Sequence, residues 1–483
     1  MPPAQIIRSE AALPLALLAA TVATRWMFWG VETIDWDEAT FALAGQDVLA
    51  GHLPYTNTFD VKPPGLFLAI AGVFAVFGQS LLALRLLGAA LVFGGAVLTA
   101  AAARPWGRDR AVIGGGLYVL ACGAPFAQHT GTELLAAFFV AGALCAWTRC
   151  RGATARAALV GLCLSLAVLT RSNLVFLPLA FGTILATEAV RARRAAPLAA
   201  FAAAGLAPLA ALFAVYAAHG KTDVLMLSLV TVPLRYSGGG AGPLLAFAEQ
   251  VLHVIGWSAR RPLSVLALTV LTAAAIRQYA QGRAPDARAA VVAFASTALS
   301  IVVSGEAYSH YLTQLVPAAA LLAAIGLPPG WARGAIRWIA GAGAGLCALG
   351  ALNAAFGPPP ERPLRDIAAI IAAEGSPSDA VFPATGHLVL FHLRRPTITP
   401  VLHPSNVARD SVARGLAEAG YAVDPLGRSI AAAPAWVVAP PDGAPKYLNG
   451  AQAERFAGFL ACYDRRAVRG EYALYRRGAC PAQ

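Results

Sequence analysis

The sequence has few charged residues. Asp, Glu, Lys and Arg together make up only 13% of the 483 residues, whereas 58% are hydrophobic. The mean hydropathy of +0.62 lies well outside the usual range for soluble proteins. This composition excludes an ordinary soluble domain and predicts a polytopic α-helical membrane protein.

Several sequence motifs are also missing. No Gly-Lys-Ser or Gly-Lys-Thr follows a glycine-rich stretch, which excludes a P-loop. No tight metal-ligand spacing such as His-Glu-x-x-His occurs. A divalent metal is kept only as an optional cofactor, because Asp, Glu and His residues fall on one predicted face of the membrane. The net charge of +12 comes from Lys and Arg in short loops, without a basic stripe interleaved with aromatics. This pattern indicates membrane topology and no nucleic-acid partner.

Apolar segments predict eleven membrane spans, with the N-terminus in the cytoplasm. The first continues into large aromatic residues and lacks a small-residue cleavage site, so we interpret it as an uncleaved helix. The apolar stretch 64–77 is too short for a span and is expected to be interfacial or re-entrant. The predicted spans cover residues 11–29, 82–103, 111–126, 134–147, 159–170, 174–187, 197–218, 262–276, 289–303, 312–327 and 338–356.

The composition changes after Gly357-Pro-Pro-Pro360, where charged residues become frequent. We therefore predict a transmembrane domain over 1–357, with a first periplasmic loop over 30–80, and a small periplasmic α/β domain over 358–483. Cys462 and Cys480 bracket a predicted hairpin that turns near Gly470, and antiparallel pairing would bring the two thiols together. A disulfide and two free thiols are equal alternatives here, and the periplasm permits the disulfide.

The first predicted outer loop carries the residues best suited to chemistry. Asp37 and Glu38 follow the first apolar segment, and Lys62 stands beside Pro63 and Pro64. A carboxylate at a partly dehydrated boundary can accept a proton from a hydroxyl group. A nearby cation can hold a phosphate and stabilise its developing charge. The alternatives are a helix cap for the carboxylates and an interfacial lysine whose ammonium group reaches water.

Other candidates lie in distant loops that the topology places on the same face. Arg235 beside the glycines 238–240 is either a lid that closes on a phosphate donor or a disordered loop. Arg171 follows an apolar run and is a further candidate phosphate ligand. His310 before Tyr311 is either a metal or phosphate ligand or half of an interfacial aromatic pair. The candidate metal ligands are Asp37, Glu38 and His310.

Three stretches carry a family resemblance: Trp36-Asp-Glu-Ala-Thr-Phe41, Phe59-Asp-Val-Lys-Pro-Pro-Gly-Leu-Phe67 and Leu84-Arg-Leu-Leu-Gly88. In this order they resemble the first periplasmic loop of GT-C glycosyltransferases. The protein O-mannosyltransferase-like members, including the bacterial lipid A aminoarabinose and galacturonosyl transferases, are the most similar. Arg171 and the segment Ser309-His-Tyr-Leu312 also look like that family.

The resemblance implies an inverting transfer of a hexosyl or pentosyl group from a polyprenyl-phosphate donor. The acceptor would be a lipid A, glycan or protein group on the periplasmic face of the bacterial inner membrane. Asp37 takes the position of the family's essential carboxylate, Glu38 that of its neighbour and Lys62 that of the donor-phosphate contact. Thr40 and Val61 replace the Arg and Glu that the aminoarabinose enzymes often carry, which leaves the sugar open.

Two other functions compete with this interpretation. Charged residues at the membrane midplane and matching inverted halves with broken helices would indicate a transporter or flippase of lipid-linked sugars. The sequence has few midplane charges and no such halves. A structural assembly partner, whose outer domain only binds, would be unaffected by Asp37→Asn.

Overall fold

The computed structural model describes residues 3–123, 127–236, 272–277, 279–281, 287–304, 308–418 and 424–480. It divides into two compact units. We call one the helical unit, which comprises Met1–Trp29, Arg85–Val215 and Gly240–Pro358. The other, which we call the α/β unit, comprises Gly30–Leu84, Tyr216–Gly239 and Pro359–Gln483. The first loop is therefore part of the same compact unit as the C-terminal residues.

Helices dominate the described residues. The α-helices are α1 Pro3–Arg25, α2 Trp36–Leu49, α3 Gly65–Phe77, α4 Leu81–Ala103, α5 Arg108–Cys122, α6 Thr132–Arg149, α7 Ala153–Val168, α8 Phe176–Ala192, α9 Ala196–Ala218, α10 Thr222–Met226, α11 Val232–Tyr236, α12 Arg288–Val303, α13 Val316–Gly326, α14 Ala332–Phe356, α15 Pro363–Glu374, α16 Leu388–Leu393, α17 Pro404–Val407, α18 Asp410–Glu418, α19 Pro425–Ala431 and α20 Gly450–Leu460. The strands are β1 Val381–Pro383, β2 Trp436–Ala439, β3 Tyr463–Arg469 and β4 Tyr472–Arg477.

Six helices of the described residues are long and apolar enough to cross a membrane. They are Ala11–Phe28, Leu81–Trp106, Thr132–Arg149, Ser172–Ala192, Ala196–Ala218 and Ala332–Phe356. A helix overlaps each predicted span except 262–276, which falls mostly outside the described residues, as do residues 124–126 at the end of the third span. The chain is thus a polytopic α-helical membrane protein, as predicted, while the count of eleven spans stays a prediction.

Helix α3 has 13 residues, which is too short to cross the apolar core of a bilayer, about 30 Å thick. It packs against α2 within the α/β unit. A Cβ atom at Gly45 would lie only 2.4 Å from Cγ2 of Ile70, so glycine allows the two helices to approach closely. The length of α3 fits the expected interfacial or re-entrant helix, whose membrane placement stays a prediction.

The C-terminal residues form the predicted small α/β fold. The four-stranded sheet has the order β1-β2-β4-β3, with β1 and β2 parallel and the other pairs antiparallel. All four residues of β2 are buried, and they include Trp436 at 0% exposure. The chain turns between β3 and β4 at Gly470, whose φ of 53° favours glycine. The predicted hairpin is therefore confirmed.

Cys462 and Cys480 form a disulfide, which decides between the two alternatives left by the sequence. The strand register explains the pairing, because Tyr463 lies opposite Arg477 and the chain ends beyond these residues run side by side. The Cα atoms of the two cysteines are 4.2 Å apart. A structural disulfide is typical of an oxidising compartment such as the periplasm.

Replacing both Cys462 and Cys480 by serine is expected to lower the free energy of unfolding of the C-terminal residues by about 3 kcal/mol, because the crosslink no longer restricts the unfolded chain. Denaturant titration of the detergent-purified protein measures this loss. Cys347→Ser, which removes a thiol outside the disulfide, serves as the control. An unchanged unfolding midpoint in the double variant would contradict the prediction.

Several contacts attach the first loop to the C-terminal residues, and two of them involve residues on either side of Asp37. The carboxylate of Glu32, 5% exposed, accepts hydrogen bonds from the backbone N–H groups of Leu364 and Arg365 at 2.9 and 2.8 Å. These groups lie at the N-terminus of α15, where a negative charge is favourable. Farther along the loop, Phe59 pairs with Val401 in an isolated parallel bridge. Both contacts lie within the α/β unit and hold the candidate site in place.

Candidate active site

Asp37 lies in the first turn of α2, but it does not cap the helix. The N-cap is Asp35, whose carboxylate accepts a hydrogen bond from the Asp37 backbone N–H at 2.8 Å. The Asp37 carboxylate instead lies 3.3 Å from Nε2 of His403, measured from Oδ1. The side chains of Asp37 and His403 are 20% and 15% exposed. Asp37 is thus a partly accessible carboxylate beside an imidazole.

His403 connects Asp37 to a serine. Its Nδ1 lies 2.8 Å from Oγ of Ser405, so the imidazole has a hydroxyl on one side and the carboxylate on the other. Burial lowers the pKa of His403, while the Asp37 carboxylate raises it to a smaller extent. The imidazole is therefore neutral near pH 7, with a hydrogen-bond donor at one ring nitrogen and an acceptor at the other.

Lys62 and Asp37 both influence the same buried carboxylate, that of Asp60. The buried carboxylate of Asp60 accepts a hydrogen bond from the Lys62 backbone N–H at 2.9 Å, and the Tyr55 hydroxyl donates to the Lys62 carbonyl at 2.7 Å. Burial raises the pKa of Asp60 to about 6; the Lys62 ammonium opposes this rise and the Asp37 carboxylate adds to it. Asp37 and Lys62 thus both lie close enough to Asp60 to affect its charge, and their joint role in a site stays a prediction.

Two other predicted residues of the α/β unit are placed differently. Glu38, the neighbour of Asp37, is only 3% exposed. Arg235 lies in the short helix α11, but its side chain and the glycines 238–240 lie outside the described residues. The lid hypothesis for Arg235 therefore stays a prediction.

A second cluster lies within the helical unit, around a buried ion pair. Arg171 Nη1 pairs with the Glu133 carboxylate, and its guanidinium lies over the Tyr311 ring, 4.1 Å from the ring centroid. His310 Nε2 and His129 Nε2 lie 3.7 and 3.9 Å from the Glu133 carboxylate. The predicted residues Arg171, His310 and Tyr311 are thus together, and Glu133 largely compensates the arginine charge.

Solved structures match the whole chain. The structure of ArnT from Cupriavidus metallidurans in the apo state matches with a TM-score of 0.65 and 15% identity, over 99% of this chain and 100% of that chain. The same protein bound to undecaprenyl phosphate matches with a TM-score of 0.63 and 15% identity, over 100% of both chains. The chain has a GT-C fold. The family resemblance therefore predicted the fold correctly.

Other comparisons add no relative on which an argument can rest. No family model matches the sequence, and no curated protein matches it either. An oligosaccharyltransferase of Archaeoglobus fulgidus matches with a TM-score of only 0.48 and 11% identity, over 98% of this chain and 74% of that chain. This similarity is too low to support a conclusion about the chain.

The described residues offer little for a metal ion. Within the described ranges, no group of three or more His, Cys, Asp or Glu side chains is arranged to hold one. Asp37 contacts His403, and the third candidate ligand, His310, belongs to the helical unit, whereas Asp37 and Glu38 belong to the α/β unit. The divalent metal that the sequence left open gains no support from the described residues.

Sequence reasoning missed two functional candidates, His403 and Glu133, because no motif surrounds either residue. Thr40, noted only as a departure from the aminoarabinose enzymes, is fully buried and shares a hydrogen bond of 2.8 Å with Nε2 of His387. None of these contacts has a local sequence signal, because each partner lies far along the chain.

Stability should depend on pH through His387, which is 1% exposed. Burial lowers the pKa of His387 from 6.5 to about 3, with the neighbouring His403 acting in the same direction and Asp37 opposing it. Between these values the unfolded chain binds a proton that the folded chain does not. The free energy of unfolding therefore falls as the pH falls, by at most about 1.4 kcal/mol per pH unit from this residue.

His387→Gln should remove this part of the pH dependence. Denaturant titrations between about pH 7 and about pH 5 are expected to give a shallower slope for the variant than for the wild type. Asp60, which contributes with the opposite sign between 3.8 and about 6, is present in both proteins and cancels in the comparison. Equal slopes would contradict the assignment.

Proposed function

We propose that this protein is a glycosyltransferase that moves a sugar from a polyprenyl-phosphate donor to a cell-envelope acceptor. The acceptor would be a lipid A, glycan or protein group. The observation that carries the proposal is the Asp37 carboxylate beside a neutral His403 and near Lys62. It occurs in a chain that shares the fold of ArnT, a protein solved with undecaprenyl phosphate bound.

In the proposed reaction, Asp37 acts as the general base. Its carboxylate accepts the proton of the acceptor hydroxyl, whose oxygen attacks the anomeric carbon of the donor sugar. The new C–O bond forms as the bond from this carbon to the phosphate oxygen breaks, with inversion at the carbon. The electron pair leaves with the phosphate, and the ammonium group of Lys62 stabilises the added negative charge.

The proposed orientation places the reaction in the periplasm. The Cys462–Cys480 disulfide supports this location for the C-terminal residues, because the bacterial cytoplasm keeps thiols reduced. Asp37 and Lys62 belong to the same compact unit as the disulfide. We accordingly propose a multi-pass protein of the bacterial inner membrane with a cytoplasmic N-terminus.

Other residues are proposed as secondary contacts to the donor. Arg171 is paired with Glu133 and stacked on Tyr311, so its charge is partly compensated. We propose Lys62 as the principal phosphate ligand. Arg235, Arg171, His310 and Tyr311 remain proposed additional contacts to the donor.

Lys62→Gln tests the donor site. Losing a charge-assisted contact to phosphate costs about 1.5–3 kcal/mol, so the Kd for undecaprenyl phosphate should rise about 10- to 100-fold. Microscale thermophoresis of the detergent-purified chain measures this constant. Lys221→Gln, which neutralises an exposed lysine of the same unit, should leave it unchanged. Equal affinities for wild type and Lys62→Gln would remove Lys62 from the donor site.

A further inference from the structure

A cavity of about 540 Å³ lies beside the candidate base, within the α/β unit. Its volume falls in the range of small-molecule sites, about 300–1,000 Å³. Trp36, the residue before Asp37, forms one wall, and Tyr447 forms another. The two rings meet edge to face, with their centroids 6.3 Å apart. The cavity therefore offers flat apolar surfaces immediately next to the proposed catalytic residue.

Residues that carry hydroxyl groups also line this cavity. Thr385 is 5% exposed, and among the described residues its Oγ1 has no hydrogen-bond partner. A buried polar group without a partner is costly and needs an explanation, such as a ligand that completes its hydrogen bonding. Ser405 and Tyr472 are two further lining residues that carry a hydroxyl group, and Tyr472 is only 3% exposed. Aromatic walls combined with hydroxyl groups fit a ligand that has both C–H faces and many hydroxyls.

We propose that this cavity binds the saccharide part of a substrate. The proposal rests on the proposed glycosyltransferase function and names the substrate class at the same site. Ser405 links the cavity to the base, since its Oγ lies 2.8 Å from His403 Nδ1 and His403 Nε2 lies 3.3 Å from Asp37 Oδ1. A sugar bound here is thus connected to the proposed base through Ser405 and His403.

The charges of the lining restrict the sugar further. Asp442 and Glu471 contribute two carboxylates and Lys446 one ammonium group, and all three residues are exposed. The net negative charge disfavours an acidic sugar, because a carboxylate of the ligand would meet like charges. The cavity should therefore bind neutral glycosides and reject uronic acids.

Saturation-transfer NMR on the full-length, detergent-purified protein tests this proposal with methyl glucoside and methyl galacturonide. We expect the wild type to bind the glucoside at least ten times more tightly than the galacturonide. Trp36→Ala should weaken glucoside binding about tenfold, worth about 1.4 kcal/mol. Glu471→Gln should instead strengthen galacturonide binding, because it removes one of the repelling carboxylates. The control Glu454→Gln, on exposed helix surface outside the lining, should bind as the wild type does. Equal binding by both cavity variants and the wild type, or no binding by the wild type, would overturn the proposal.

Transfer kinetics distinguish the two sources of the sugar. If the cavity holds the acceptor, Trp36→Ala raises the KM for the acceptor alone. If it holds the sugar of the donor, the KM for the donor rises instead. Unchanged values of both would overturn the proposal even if the enzyme is active. Because the NMR measurement does not need transfer, glucoside binding without any transfer would support the cavity and contradict the proposed function.

Discussion

Asp37→Asn is expected to lower the rate of sugar transfer by about 10²- to 10⁴-fold, the contribution of a positioned general base. The amide keeps the size of the side chain but cannot accept the proton of the acceptor hydroxyl. Helix α2 should remain intact, because its cap is the Asp35 carboxylate. The initial rate of transfer from a radiolabelled polyprenyl-phosphate sugar, at equal amounts of folded protein, measures the effect.

Asp109→Asn is the matched control for this variant. Asp109 is exposed in the first turn of α5, in the helical unit, and its neutralisation should leave the transfer rate unchanged. Undecaprenyl phosphate binding by Asp37→Asn should also stay close to the wild-type value, since Lys62 is retained. Transfer at the wild-type rate by Asp37→Asn would assign the base to another residue.

Glu133→Gln is expected to destabilise the protein by about 3–5 kcal/mol, because it leaves the buried charge of Arg171 uncompensated. Glu133 and Arg171 are 1% and 4% exposed, so water cannot replace the lost carboxylate. The Thr132 hydroxyl and the Asn173 amide, which also contact Arg171, carry no negative charge. The loss should appear as a lower unfolding midpoint in detergent, monitored by circular dichroism.

Glu188→Gln provides the comparison. Glu188 and Arg156 are 3.6 Å apart, but their side chains are 41% and 27% exposed. A solvated ion pair of this kind contributes about 0–1 kcal/mol. If Glu133→Gln were no more destabilising than Glu188→Gln, the buried pair would not be a structural element of the helical unit.

The membrane helices could be predicted from the sequence because each carries its own signal. A span from 197 to 218 was predicted, and α9 runs from Ala196 to Ala218. The hairpin β3–β4 was equally accessible, since Gly470 marks the turn and cysteines stand at its two ends. Such features depend on hydropathy or local conformation, and residues that are close in sequence determine both.

The surroundings of the candidate site could be predicted only in part. Asp37 and Lys62 are close in sequence, and a single loop motif indicated both. His403, which contacts Asp37, comes from the far end of the chain, and nothing around it marks the contact. The same holds for Glu32, whose partners are backbone N–H groups at the start of α15. Contacts of this kind depend on how distant segments fold together.

The division of the chain illustrates the same limit. The change of composition near Gly357 predicted where a separate C-terminal domain begins, and Pro359 begins the last segment of the α/β unit. That unit also includes Gly30–Leu84, which composition assigned to the transmembrane part. A buried carboxylate and a two-residue bridge, at Glu32 and Phe59, connect this loop to the C-terminal residues. Neither has a compositional signal.

The most direct test of the account is sugar transfer by the purified protein. Radiolabelled polyprenyl-phosphate sugars and envelope extract are incubated with the detergent-purified wild-type chain, and the label is followed in donor and acceptor fractions. We predict that label moves from the lipid donor to an envelope acceptor. Failure to transfer label from any donor of the panel, together with protein-dependent translocation of the same lipids in vesicles, would contradict a glycosyltransferase and favour a flippase.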